Sequence, residues 1–512
     1  TYVGRNKKLY INGNNVQAVI AEDLGSKVGA DFLNAEYMNR INVNAGGATV
    51  YIDNINVTRF YNDAEEGINY GQLLASIRKG EKALSGAVVG TNIRQDIYND
   101  YKTALDTAKT AYIASETTQD AIDAANDALC QAYSKLIFAD EAYEICGVNF
   151  TDKDDKYTPY LTAGGKIASV TVRKNAEYNK LGVLILALYD KNGNLIKVKP
   201  VQKVFDGVNA GETKNVTIDM QLPADINGVY TKVMLLDTID NITPLTNAHV
   251  PDNTTARTIR IAGDSIVHTY EGTTDEKKYP MQGWGAYAAD YFNNSITAQN
   301  EATSGSTTRT FIGFSIFNRL ASKMQAGDIL LVSFMENDCR ENDTYRHVSN
   351  YDYKNMLRLY ADIAKENGAE IIFVTSPANL NETAGSDDFN GYKDLMKEVA
   401  KEYNAPCIDI WQESVDLQNK EGYEYVEAAM HMHNLDVLKA NFNKNGKVIN
   451  ESTVNGKDII HISEWGAQKV ASWIAEEMKN TNSALRYYVN GKTFDFPEDM
   501  VTSTTLNQTT TE

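Results

Sequence analysis

Four short polar segments carry the side chains needed for nucleophilic attack on an ester. Gly263-Asp264-Ser265 and Asp458-Ile459-Ile460-His461 supply a hydroxyl, a base and a carboxylate. A serine hydroxyl becomes an effective nucleophile when a histidine takes its proton and an acid holds the histidine tautomer. Gly305 and Asn337 are candidate donors to the oxyanion that forms during such an attack. Together the four segments predict an enzyme that cleaves esters through a serine.

The alternation of strand and helix patterns after Arg257 predicts a parallel sheet that positions these segments. Strand patterns fall at Thr258–Ala262, Ser295–Gln299, Asp328–Phe334, Glu370–Thr375 and Pro406–Ile410. Helical patterns fall at Gly283–Phe292, Tyr351–Asn367 and Tyr392–Tyr403, with a last helix around Val470, Trp473 and Ile474. Parallel α/β sheets build their sites at the carboxyl ends of the strands, and Ser265 follows the first strand directly.

The four segments, in this order, resemble the sequence blocks of the SGNH (GDSL) hydrolase family over about residues 257–480. The resemblance implies a three-layer α/β/α, flavodoxin-like catalytic domain with a parallel sheet. It implies that Ser265 is the nucleophile, His461 the general base and Asp458 its partner. It further implies an oxyanion hole made by the backbone N–H groups of Ser265 and Gly305 and the side-chain amide of Asn337. Neither a metal nor a cofactor is implied.

Two smaller motifs resemble the rhamnogalacturonan acetylesterase branch of that family. They are Gly283-Trp284-Gly285 and Gly305-Ser306-x-x-Arg309. This resemblance implies removal of acetyl groups from a plant polysaccharide, pectin or xylan, so the expected partner is an acetylated polysaccharide or oligosaccharide. One position departs from the family pattern, because Met335 stands where the third block has glycine. If that glycine provides backbone room, the amide of Asn337 is displaced.

Four further side chains near the blocks are candidates to line the substrate site: His268, Trp284, Glu336 and Trp465. Aromatic rings stack on sugars, but Trp284 could equally pack the following helix against the sheet. His268 could equally be a packed or solvent-exposed histidine. The His431-Met432-His433 segment has metal-binding residue types, but no third ligand is evident, so a metal site is rejected.

The patterns before Arg257 predict three accessory modules. Residues 1–63 read as a β-rich, jelly-roll-like module or part of one, residues 64–140 as a three-helix bundle, and residues 141–250 as an immunoglobulin-like β-sandwich. Residues 257–480 form the predicted catalytic domain, and residues 481–512 read as a partly ordered tail. Because the helical module resembles linker repeats of secreted bacterial glycan-active proteins, we expect a multimodular secreted bacterial protein, extracellular or at the cell surface. The chain begins at Thr1 without a Met or a signal peptide, so we expect that it is processed or cut from a longer chain.

Composition narrows the possible partners. The 512 residues carry a net charge of −19, which disfavours binding to nucleic acids and to anionic membranes. No run of 18 apolar residues occurs, so no membrane span is predicted. The four cysteines lie far apart without a Cys-x-x-Cys pattern, which argues against a zinc or redox motif. The oligomeric state is left open.

Two alternatives to a carbohydrate esterase remain at this point. The accessory modules and Met335 would also fit a glycan-binding or adhesive surface protein with a vestigial hydrolase domain. An esterase or lipase acting on small or lipid esters is the other alternative. The absence of an apolar lid-like segment and the polar surroundings of the blocks argue against it.

Overall fold

A computed structural model describes residues 9–11, 14–16, 68, 70–114, 117–270, 279–314, 316–444, 447–449 and 458–509. Near the amino terminus, β1 (Leu9–Ile11) and β2 (Asn14–Val16) pair in the antiparallel sense. Apart from these two strands, the predicted jelly-roll-like module of residues 1–63 lies outside the described residues.

Three helices follow in the region predicted to form a bundle: α1 (Gly71–Ser85), α2 (Gln95–Tyr112) and α3 (Gln119–Ser134). Apolar residues at helical spacing face one another, and Leu73, Leu105 and Leu129 are almost completely buried in their shared core. The side chain of Thr118 caps α3 by accepting a hydrogen bond from the backbone N–H of Ala121. The apolar faces of the three helices therefore pack against one another.

Two antiparallel sheets follow. Their strands are β3 (Tyr143–Thr151), β4 (Tyr157–Thr158), β5 (Lys166–Lys174), β6 (Val183–Tyr189), β7 (Leu195–Gln202), β8 (Thr213–Gln221) and β9 (Tyr230–Leu236). One sheet has the order β4-β3-β5-β8 and the other β7-β6-β9. Val170 and Leu186, one from each sheet, are completely buried in a common core. The immunoglobulin-like assignment of residues 141–250 stays a prediction.

The predicted parallel sheet is confirmed. It contains β10 (Arg257–Gly263), β11 (Ile296–Asn300), β12 (Ile329–Ser333), β13 (Glu370–Val374) and β14 (Cys407–Ile408). The strand order is β11-β10-β12-β13-β14, and all neighbouring strands are parallel. Every residue of β12 is buried, which follows from helices covering both faces of the sheet.

The parallel-sheet unit and the segments packed on it also contain helices. They are α4 (Thr308–Gly313), α5 (Ile316–Ala321), α6 (Asn350–Glu366), α7 (Tyr392–Glu402), α8 (Ile410–Glu421), α9 (Tyr423–Met430), α10 (Leu435–Phe442), α11 (Glu464–Met478) and α12 (Ser503–Thr509). Within the described ranges, no helix is both long enough and apolar enough to cross a membrane.

The helix predicted at Gly283–Phe292 is replaced by a single 3-10 turn at Trp284–Tyr287. Its first backbone N–H groups donate to another segment: Trp284 donates to the Ile266 oxygen at 3.1 Å and Gly285 to the Val267 oxygen at 3.2 Å. Because tertiary contacts use these donors, the local apolar pattern does not extend into a full helix.

The carboxyl-terminal segment is more closely packed than the predicted tail of residues 481–512. A 3-10 helix at Ala484–Tyr488 buries Arg486, Tyr487 and Tyr488. The hydroxyl of Tyr487 accepts a hydrogen bond from the backbone N–H of Val148 in β3 at 3.0 Å. This segment therefore joins the antiparallel sheets to the parallel-sheet unit.

Candidate active site

Ser265 lies in a tight turn directly after β10. The backbone oxygen of Asp264 accepts hydrogen bonds from the N–H groups of Val267 and His268 at 3.2 and 3.0 Å. The side chain of Asp264 accepts a further bond from the Ile266 N–H at 3.0 Å. The Ser265 side chain is therefore held at the carboxyl edge of the sheet, where parallel α/β folds place their sites, and only 5% of the residue is exposed.

Asp458 and His461 form a second turn just before α11. One carboxylate oxygen of Asp458 accepts from the backbone N–H groups of Ile460 and His461, at 3.0 and 2.9 Å. Its other oxygen lies 2.6 Å from Nδ1 of His461. Burial raises the pKa of Asp458, but the hydrogen bond from His461 and the accompanying bonds outweigh it, so this pKa lies below its ordinary value. The carboxylate therefore stays ionised beside the imidazole.

The two turns meet at the imidazole. Nε2 of His461 lies 3.0 Å from Oγ of Ser265, although the two residues are 196 positions apart in the sequence. A continuous chain of hydrogen bonds therefore runs from the Asp458 carboxylate through His461 to the Ser265 hydroxyl. This arrangement allows the imidazole to accept the serine proton while the carboxylate holds the opposite nitrogen.

The segments that contain Gly305 and Asn337 are tied to each other. The side-chain amide of Asn337 donates to the backbone oxygen of Ser306 at 3.0 Å. Next to it, Asp338 accepts from the backbone N–H of Thr308 at 3.0 Å and from the Thr308 hydroxyl. Gly305 has a φ of 77°, a conformation that side chains other than glycine adopt at a cost.

Several donors near Ser265 remain available. Within the part of the chain that the structure describes, the backbone N–H groups of Ser265 and Gly305 donate to no other protein group.

The Met335 side chain is completely buried in the core on the opposite side of β12 from the antiparallel sheets, and its backbone is not left-handed. A methionine at this position is therefore accommodated by packing.

The predicted substrate-lining residues fall into different environments. Trp284 is completely buried in the core, which fits the alternative that it packs against the sheet and leaves it no surface to line a substrate site. Nδ1 of His268 lies 2.7 Å from the Ala302 oxygen, and its ring meets the edge of Tyr270. Trp465 is partly buried, with its ring centroid 4.3 Å from that of Phe442.

Glu336 is almost buried beside the block that contains Asn337. Its side chain is 7% exposed and accepts from the Arg340 guanidinium at 2.7 Å. Burial raises the pKa of Glu336 above its ordinary value, although Arg340 and, more weakly, His461 act in the opposite direction. The carboxyl therefore lies within electrostatic reach of the imidazole.

The sequence did not indicate that the segment ending α9 supports the base. The N–H of Met432 donates to the His461 oxygen at 3.0 Å, and the N–H of Ser463 donates to the Met430 oxygen at 2.7 Å. Between them, His431 is 1% exposed and forms an antiparallel bridge with Ile462. Because these contacts join distant parts of the chain, no local pattern could reveal them.

The other histidine of this segment has a carboxylate partner. Nδ1 of His433 lies 2.6 Å from Glu427, which also accepts from the Ser503 hydroxyl at 2.8 Å. Among the residues with described positions, no three His, Cys, Asp or Glu side chains are grouped closely enough to hold a metal ion.

Residues 259–474 match a family model described as GDSL-like lipase/acylhydrolase. Rhamnogalacturonan acetylesterase RhgT of Bacillus subtilis (strain 168) is 29% identical over 236 residues, which cover 44% of this chain and 91% of RhgT. The probable rhamnogalacturonan acetylesterase YesY of the same organism is 27% identical over 233 residues, which cover 45% of this chain and 96% of YesY.

Among solved structures, the acetylxylan esterase Axe2 of Geobacillus stearothermophilus is similar, with 16% identity, 44% of this chain and 96% of Axe2 covered, and a TM-score of 0.32. The family match spans both turns that bring Ser265 and His461 together. The chain therefore carries a GDSL-like hydrolase domain of the SGNH type, similar to rhamnogalacturonan acetylesterases, and is a carboxylic ester hydrolase.

Proposed function

We propose that the chain removes O-acetyl groups from a plant polysaccharide through a Ser265–His461–Asp458 triad. The observation that carries this proposal is the unbroken hydrogen-bond chain from Asp458 to Ser265. The names of RhgT and YesY support acetyl esters of rhamnogalacturonan as the substrate class.

In the first half of the reaction, Oγ of Ser265 attacks the acetyl carbonyl carbon while Nε2 of His461 takes the hydroxyl proton. The N–H groups of Ser265 and Gly305 and the amide of Asn337 donate to the resulting oxyanion. Collapse of the intermediate breaks the bond to the sugar oxygen, which receives the proton from His461. The products are a free sugar hydroxyl and an acetylated Ser265.

In the second half, His461 takes a proton from a water molecule, which attacks the acetyl-serine carbonyl. The oxyanion forms again in the same place, and its collapse releases acetate and returns the proton to Ser265. Asp458 stays ionised throughout and stabilises the imidazolium form of His461. The reaction requires only the ester, water and these side chains.

Acetate release from acetylated rhamnogalacturonan and acetylated xylan tests this function. Ser265→Ala and His461→Ala should each lower kcat by at least about 10⁴-fold, because the nucleophile or its base is lost. Ser322→Ala is the control, since within the described part of the chain its exposed hydroxyl donates to the Arg319 oxygen of its own turn and to no residue of the site. Substantial acetate release by a folded Ser265→Ala protein would exclude the mechanism.

We also propose that the protein acts outside the bacterial cell. A polysaccharide is too large to reach an enzyme inside the cell before it is broken down. Fractionation of the native host, with the esterase activity measured in each fraction, tests this location; activity confined to the cytosol would contradict it.

A further inference from the structure

Arg346 lies next to the glycine proposed to donate to the oxyanion. A Cβ atom built on Gly305 would stand 3.5 Å from Nη2 of Arg346, which is ordinary contact distance. Arg346 belongs to the loop between β12 and α6, 41 positions after Gly305 in the sequence. The guanidinium is therefore within a few ångströms of the backbone that would face the reacting carbonyl group.

As far as the structure describes the chain, the guanidinium of Arg346 is held only by a long ion pair with Asp343. Its side chain is 36% exposed, and the Asp343 carboxylate lies 3.7 Å from Nη1, beyond hydrogen-bond distance. No hydrogen bond joins this guanidinium to another of the residues described. By contrast, the guanidinium of Arg340 is held by two bonds to Glu336. Arg346 therefore has free donors for a ligand.

The backbone that carries Arg346 is nevertheless well held. One carboxylate oxygen of Asp343 accepts from the N–H groups of Tyr345 and Arg346, at 3.1 and 3.2 Å. The backbone oxygen of Tyr345 accepts from the Arg309 guanidinium at 3.1 Å. The Tyr345 residue itself is 61% exposed. The loop thus presents, on adjacent residues, an exposed aromatic ring and a partly exposed cation whose guanidinium makes no hydrogen bond to another described residue.

The net negative charge of the chain indicates what kind of ligand the Arg346 guanidinium would serve. With a net charge of −19, the protein repels a polyanion unless a local positive group offsets the repulsion. Arginine matches a carboxylate with two parallel hydrogen bonds, and an aromatic ring covers the apolar face of a sugar. A neutral polysaccharide would need the aromatic ring but not the guanidinium.

We propose that Arg346 is a specificity-determining residue that binds the carboxylate of a uronic acid close to the acetylated sugar, with Tyr345 packing on a sugar ring. This inference rests on the proposed function and narrows it to acidic polysaccharides. It assigns to the loop between β12 and α6 the selection of uronate-containing chains over neutral ones.

Steady-state kinetics of the full chain with three acetylated oligosaccharides test the proposal. One contains free galacturonate, the second is the same compound with its carboxylates methyl-esterified, and the third is xylo-oligosaccharide. Arg346→Ala should raise KM for the free-acid substrate about tenfold or more, because a charge-assisted pair is lost. For the two neutral substrates KM should change less than about twofold, since they offer no carboxylate.

Arg94→Ala is the matched control, because the Arg94 side chain is 34% exposed and also neighbours an aspartate. It should behave as the parent with all three substrates. Added salt should raise KM of the parent for the free-acid substrate and have little effect on Arg346→Ala, since salt screens an exposed ion pair. These results would support the carboxylate subsite.

Equal losses of Arg346→Ala on the free-acid and methyl-esterified substrates would overturn the inference, because they indicate a structural role. An unchanged KM for the free-acid substrate would overturn it too. In both cases, acetate release that depends on Ser265 leaves the proposed function standing. If the parent releases acetate from none of the three substrates, the proposed function fails, and the inference fails with it.

Discussion

Two completely buried carboxyl groups lie beside the nucleophile turn. In Asp264 and Asp338, one oxygen accepts hydrogen bonds and the other has no partner among the described residues. Burial raises the pKa of Asp264 to about 8, and the carboxyls of Glu336 and Asp338 add to this shift. Burial raises the pKa of Asp338 to about 7. A proton on the unpartnered oxygen avoids the cost of an isolated buried charge.

The raised pKa of Asp264 predicts that stability falls as pH rises. Between about pH 4 and 8 the folded protein keeps a proton on Asp264 that the unfolded chain loses. The contribution of this group to the free energy of unfolding is therefore greatest below pH 4 and declines as the pH rises toward 8. One such proton changes the free energy of unfolding by at most about 1.4 kcal/mol per pH unit. Asp264→Asn stays neutral and keeps an acceptor for Ile266, so its stability should depend less steeply on pH.

Urea denaturation at pH 5, 6, 7 and 8 measures this difference. Asp387→Asn is the control. Partial burial acts to raise the pKa of Asp387, but the neighbouring Lys393 and the other hydrogen bonds have the larger, opposite effect, so this pKa lies below its ordinary value. Asp387 is therefore ionised in both states over this range, and its replacement should leave the slope unchanged. Identical slopes for the parent and Asp264→Asn would contradict the prediction.

At the scale of the elements, the segment Gly283-Trp284-Gly285 supports the nucleophile turn. Its backbone N–H groups donate to the oxygens of Ile266, Val267 and His268 at 3.1 to 3.2 Å. A Cβ on Gly283 would overlap the His268 oxygen and lie 2.5 Å from the Val267 carbonyl carbon. The glycine permits a close approach between two backbones, and the buried tryptophan anchors it.

Gly283→Ala should therefore lower both stability and activity. We expect a loss of about 1–3 kcal/mol in the free energy of unfolding, because the alanine methyl group must displace backbone. The value of kcat should also fall, since the displaced backbone directly follows Ser265. Thermal or urea denaturation and acetate release measure the two effects.

Gly313→Ala provides the comparison for this substitution, because a Cβ there meets nothing within 4 Å. Its stability should stay within about 0.5 kcal/mol of the parent. If Gly283→Ala and Gly313→Ala behave alike, the close backbone contact is not what supports the turn.

At the scale of the whole molecule, an ionic network joins the helices before residue 135 to the parallel-sheet unit. Asp127 on α3 pairs with Lys354 and accepts from the Arg358 guanidinium, whose Nη1 lies 3.2 Å away. Arg358 also pairs with Glu402 at 2.8 Å. The side chains of Lys354 and Arg358 are 9% and 7% exposed, so Asp127 compensates two buried cations.

Asp127→Ala should destabilise the protein because it removes this compensation. We expect a loss of about 2 kcal/mol, less than for a fully buried pair because Asp127 is 26% exposed. Asp106→Ala is the control, since its pair with Lys102 lies on an exposed helix face, and its removal should leave stability unchanged. Indistinguishable urea unfolding curves for the two variants would contradict a stabilising role of the network.

The sequence by itself determined the class of enzyme, a carboxylic ester hydrolase, and the parallel sheet that positions Ser265. Ser265 follows a predicted strand that the structure contains. The four polar segments resemble a hydrolase family, and the model of that family matches residues 259–474. These features are local: a strand pattern depends on side-chain alternation and burial, and a motif depends on neighbours within a few positions. The Asp458 and His461 contacts are likewise made within four residues.

Only the tertiary structure decided which residues surround the site. Trp284 looked equally suited to the core and to a sugar, and its complete burial places it in the core. The sequence gives no signal for the role proposed for Arg346, because only the fold brings its guanidinium near Gly305, 41 positions earlier in the chain. The sequence also gives no sign that Tyr487 packs against β3. Contacts between distant segments depend on how whole elements pack, which no local pattern specifies.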